Sequence, residues 1–137
     1  MKALKYLTHP TILIISFLLI LISGEQFGGF YLLYILLALP HGGIHAILAT
    51  LGIIILIYSN YKYKRQFSFL IEPILNITGA ILLILSLGLF FNNDLRHYNY
   101  GTFFQIIPII TLTLFGLLSV GFLVNSVLNM RLRHSPL

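Results

Sequence analysis

Long apolar runs separated by short polar links make up this chain, and its positive charges gather at only some of those links. Runs at about 6–23, 41–58, 67–91 and 102–129 each reach the length a helix needs to cross a hydrocarbon core of about 30 Å. Threaded through these runs with both ends on one side, Lys2, Lys5, Lys62, Lys64, Arg65, Arg131 and Arg133 share a side, and only Arg96 faces the other. Hydropathy and charge bias are independent signals, and the positive-inside rule assigns the basic side to the cytoplasm. The expected fold is an all-α membrane protein. It is a four-transmembrane-helix antiparallel bundle, N-in and C-in, forming one integral membrane domain over 1–137 with short links between neighbours.

Composition narrows the class further. With 58% hydrophobic and 8% charged residues, too little polar surface exists to coat a water-soluble globule. The formal charge of +5 raises nucleic acid as a partner. The basic residues sit at span ends, however, where they act as topology signals and contacts for anionic headgroups, so a nucleic-acid partner is not expected. The absence of cysteine excludes disulfides, thiolate metal sites, iron–sulfur clusters and haem attached through cysteine. Lys2 and Lys5 ahead of an apolar run resemble a secretory signal, but Leu21-Ile22-Ser23-Gly24 puts bulky residues where a small-x-small cleavage site is wanted. The first run is therefore expected as an uncleaved span, and the charge pattern points to a bacterial cytoplasmic (inner) membrane.

The stretch from Phe27 to Tyr58 is too long for one crossing. As a single helix it would measure about 48 Å, and fitting it by tilt alone needs about 50° against a usual limit of about 40°. Pro40-His41-Gly42-Gly43 supplies a break, since proline removes a backbone donor and glycine reaches conformations other residues avoid. The expectation is a short re-entrant or interfacial helix over 27–39, with the second span from about His41.

His41 and His45 lead the candidates for chemistry. If a helix begins by His41, their i, i+4 spacing puts both rings on one face, above a stripe of small residues through Ala49 and Gly52. Counted back from Tyr58, they lie about 25 and 20 Å along the axis, toward the outer edge. Two neutral imidazoles at this spacing can hold a transition metal, with His97, Asp94 and Glu25 of the outer links as further ligands. Either one could instead be an axial ligand to a b-type haem whose second ligand comes from elsewhere. The plainer alternative makes both rings structural groups at a helix start. The zinc-protease pattern fails, because Gly42 stands where a glutamate is required.

Glu72, followed by Pro73 and with Asn76 one turn on, is the other candidate, since a carboxylate inside a span is costly unless paired, protonated or wet. Pairing with Lys64 or Arg65 at the inner surface is the structural alternative. The polar and small residues of the last run (Gln105, Thr111, Thr113, Gly116, Ser119, Gly121 and Asn125) are expected to mark helix packing, with Pro108 producing a kink. His97, Tyr98 and Tyr100 suit an interfacial anchor. No P-loop, dinucleotide fingerprint or nucleophile motif is present, so no enzyme is expected. Three functions remain. The first is an accessory or interaction subunit whose partners are the lipid bilayer and a membrane protein or second copy. The second is a metal- or haem-contacting protein using His41 and His45. The third is a small oligomeric ion or solute transporter using Glu72.

Overall fold

The computed structural model describes residues 8–25, 28–63, 71–93 and 97–134. Helix α1 spans Pro10–Leu18 and is followed by strands β1 (Leu21–Ser23) and β2 (Gly28–Phe30). Helix α2 (Tyr31–Ala38) runs into a 3-10 turn at Leu39–His41, and α3 (Ile44–Tyr63) and α4 (Ile71–Asn92) follow. A second 3-10 turn at Tyr100–Phe103 leads into α5 (Ile106–His134). Among the described residues three helices are long and apolar enough to cross a membrane, over Ile44–Tyr61, Ile71–Asn92 and Ile106–Arg131, and a shorter apolar helix covers Tyr31–His41.

The first run departs from expectation. It is not one helix over 6–23, because α1 stops at Leu18 and the chain turns extended at β1. Its start is well specified: the His9 ring accepts the Thr11 N–H at 3.3 Å, and Pro10 takes the first position, where a missing N–H costs nothing. Its end is set from outside. Leu and Ile runs suit helix or strand equally, and here a partner strand takes them. β1 and β2 pair antiparallel, Leu21 opposite Phe30 and Ser23 opposite Gly28. The region 27–39 is likewise not helical throughout, since Gly28 and Gly29 lie in β2 and helix begins only at Tyr31. Glycine is a poor helix former, and a Cβ at Gly29 would crowd the Leu33 side chain at 3.1 Å.

The far edge of β1 is covered by threonines. The Leu21 N–H donates to Thr111 Oγ1 at 3.0 Å and the Ser23 N–H to Thr102 Oγ1 at 2.9 Å. Thr111 donates its own proton to the Pro108 carbonyl at 2.8 Å, so one hydroxyl serves both β1 and α5. Gly101 lets the link come this close, because a Cβ there would stand 2.9 Å from the Ser23 carbonyl. These contacts align the first segment along the last helix in reverse order. Thr8 meets Asn125, Phe17 meets Phe115, Leu21 meets Thr111, Ser23 meets Thr102, and the Glu25 N–H donates to the Tyr98 carbonyl at 2.9 Å. α1 and β1 together therefore run antiparallel to α5.

α3 and α4 form the closest helix pair. His45 lies opposite Ser86, Gly52 opposite Gly79 and Ser59 opposite Asn76, which makes the pair antiparallel. A Cβ at Gly79 would fall 2.6 Å from Leu56 Cγ, and one at Gly52 would fall 3.0 Å from the Gly79 carbonyl. The small-residue stripe through Ala49 and Gly52 thus admits a neighbouring helix. The core fills the space between this pair, α5 and the α1–β1 unit, with Leu13, Phe17, Ile20, Tyr31, Leu83, Phe115 and Phe122 buried. Pro108 is the third residue of α5 rather than a mid-helix kink, and Pro73 is third in α4; in a first turn neither proline removes a needed hydrogen bond.

Replacing Thr111 by valine keeps the shape and removes the acceptor for Leu21. The expected loss is about 1 kcal/mol of stability, the cost of a half-buried N–H left unpaired. Thermal unfolding in mild detergent should show a lowered midpoint for Thr111→Val and a nearly normal one for Thr111→Ser.

Candidate functional site

The hairpin, the start of α3, the end of α4 and the start of α5 meet at one end of the bundle, and the densest polar cluster lies there. The Pro40-His41-Gly42-Gly43 break shapes it. Gly42 adopts a left-handed conformation (φ 68°), its N–H donates to the Leu39 carbonyl at 3.1 Å, and the Gly43 N–H reaches the Ala38 carbonyl at 3.0 Å. This is a Schellman cap, which closes one helix with a glycine where other residues would be strained. Gly43 then opens the next helix, its carbonyl accepting the Ala46 and Ile47 N–H groups at 3.0 and 3.1 Å. No side chain fits at Gly43, because its Cβ would sit 2.9 Å from the Ala38 Cβ.

That cap separates the two histidines. α3 begins at Ile44, so His41 and His45 do not ride one helix as the i, i+4 spacing suggested. His41 ends the preceding turn, exposed, with Nδ1 hydrogen-bonded 2.9 Å from the Leu37 carbonyl. His45 occupies the first turn of α3, with ring centroids 5.3 Å from Phe90 and 6.4 Å from Tyr31.

Tyr31 ties the cluster together. Its N–H donates to the Ile20 carbonyl at 2.8 Å, which sets α2 on the base of the hairpin, and its ring is fully buried, edge-on to Phe17 at 5.2 Å and Phe90 at 5.1 Å. The Ser86 hydroxyl donates its one proton to the His45 carbonyl at 2.7 Å. Tyr31 is therefore the donor toward Ser86, 3.0 Å from Oγ and 3.3 Å from the carbonyl. One hydroxyl chain thus joins α2, α4 and α3. His45 Nε2, by contrast, is closed off from solvent and has no hydrogen-bond partner among the described residues.

The remaining candidates fall into two places. Glu25 and His97 lie at this same end, on segments joined through the Glu25 N–H and the Tyr98 carbonyl. His97 is exposed, with φ at 57° and its ring 4.3 Å from Tyr100. Asp94, Lys64 and Arg65 lie outside the described residues. Among the described residues no group of three or more His, Cys, Asp or Glu side chains could hold a metal. At the opposite end, half-buried Glu72 sits in the first turn of α4, where a negative charge complements the helix dipole. Asn76 spends its side-chain oxygen on the Ser59 hydroxyl at 2.8 Å. Tyr31, Ser86 and Phe90 carry the cluster without having stood out in the sequence. The one available signal was a lone hydroxyl, Ser86, within the apolar run 81–91.

Protein-family models, curated proteins and solved structures contain no match to this chain.

Ser86→Ala removes the middle of the hydroxyl chain. Stability should fall by about 1–2 kcal/mol in thermal unfolding. Tyr31→Phe should cost less in that background than alone, because the two groups share a bond.

Proposed function

We propose that the chain is a four-crossing membrane protein acting as an interaction subunit of a larger membrane assembly. Three crossings are the long helices, and the fourth is the α1–β1 unit. The antiparallel run of that unit along α5 and the turn before it, from Asn125 to Thr102, supports this reading. A strand inside hydrocarbon is tolerable only with its backbone bonds met by protein, and β2 and the two threonines meet them. The segment 28–43 is then re-entrant from the outer side, since it departs beside Thr102 and rejoins opposite Ser86. The basic clusters support a cytoplasmic side for both ends of the chain under the positive-inside rule.

The observation that carries the interaction role is the outer surface of α5. Leu117, Val120 and Val124 point outward and exposed, and a side chain added at Gly116 or Gly121 would meet nothing within 4 Å. Small residues on a lipid-facing helix let a second helix approach closely.

For topology, the cysteine-free chain permits single-cysteine labelling with an impermeant maleimide. In intact cells His97→Cys should react and Lys64→Cys should not, and equal reactivity at both positions overturns the arrangement. For the interaction role, the full chain extracted in mild detergent from its native membrane should bring a larger membrane protein in fixed ratio. Gly116→Phe should fold normally yet lose that partner. A monodisperse, partner-free protein would defeat the proposal.

A further inference from the structure

The polar cluster carries an inference that does not rest on the interaction role. The segment 28–43 is built as a strap across the hairpin end of the bundle. Its inner face holds Tyr31 and Ile35, both buried, whereas Leu32, Leu33, Leu36 and Leu37 are exposed on its outer face. Glycines stand at both ends: Gly28 and Gly29 in β2, and left-handed Gly42, around which a Cβ would find open space. The strap is held shut by the Tyr31 N–H bond to the Ile20 carbonyl, by the Tyr31–Ser86 hydrogen bonds, and by the packing of Tyr31 and Tyr34 on Phe90, with ring centroids at 5.1 and 5.2 Å. Working against closure is His45 Nε2, a nitrogen sealed beneath the strap with no partner among the described residues. An unmet buried polar atom carries a desolvation penalty that a rearrangement exposing it relieves.

We propose that the strap has two positions, closed as described here and open, and that the unmet His45 Nε2 sets the balance between them. In the open position α2 swings between its glycine ends, and Nε2 accepts a hydrogen bond from water or a headgroup hydroxyl. Tyr31 Oη, Ser86 Oγ and His45 Nε2 are then presented together at the outer end of the bundle, as a neutral donor–acceptor patch.

The test uses the full chain in liposomes with a single cysteine. Ile35→Cys, on the sealed face of the strap, reports opening through its rate of reaction with a water-soluble thiosulfonate. His45→Phe keeps an aromatic ring and removes Nε2, so it should favour closure and slow that reaction about 5- to 150-fold, the range expected for removing one unmet buried polar atom. Leu36→Cys, on the exposed face, should react equally in both backgrounds. His45→Leu, run in parallel, should slow Ile35→Cys in the same direction and decides the matter if His45→Phe does not fold. An unchanged or faster rate without Nε2 overturns the proposal, and so does the absence of any reaction at Ile35→Cys with His45 in place.

Discussion

The structure depends on one constraint: every backbone donor placed among apolar side chains needs an acceptor from the protein itself. Helices meet that demand internally, which is why α3, α4 and α5 need little beyond apolar side chains. The first segment does not meet it alone. Beyond Leu18 it leaves the helix, and its backbone bonds pass to β2 on one side and to Thr102 and Thr111 on the other. Those two hydroxyls therefore decide whether a non-helical piece can lie inside the bundle. Thr102 is fully buried beside the strand it caps.

Close approach is the second requirement. Lipid tails are as apolar as leucine, so helices in a bilayer associate through packing and hydrogen bonds rather than through exclusion of water. Gly52 and Gly79 bring the α3 and α4 backbones together, and the Ser59–Asn76 and Ser86–His45 bonds fasten the pair toward its two ends. Tyr31 then docks α2 onto that rigid pair. The site thus has two firm walls, α3 and α4, and one lighter wall held by Tyr31, Tyr34 and Ile35. That asymmetry underlies the different parts played by the two histidines. His41 spends its ring on its own turn, whereas His45 faces the seam between the firm and the light walls.

Much of this was legible without coordinates. Three of the four expected spans are long helices whose bounds differ from expectation mainly at the ends, whereas the same apolar-length argument made a helix of 6–23, which breaks into helix and strand. Pro40, Gly42 and Gly43 announced a break, and the structure shows one, because a left-handed residue is far easier for glycine than for any other. The small residues Ala49 and Gly52 announced a close neighbour. What misled was local extrapolation. The i, i+4 spacing of His41 and His45 assumed that the break came before His41, when it comes after; the kink assigned to Pro108 assumed that α5 had begun four residues earlier than it does.

The sequence by itself determined that three of its four long apolar runs form long helices, where the chain breaks after Pro40, and which end of each run carries charge, since all three depend on composition within a single turn or run. Only the tertiary structure decided that 21–23 is strand rather than helix and that Thr102 and Thr111 are its caps. Only it decided that Tyr31, Ser86 and His45 meet. The physical reason is common to all of these. A leucine–isoleucine run satisfies helix and strand alike, and a hydroxyl can bond to its own helix or to a neighbour, so the choice passes to whichever distant segment supplies the missing donor or acceptor.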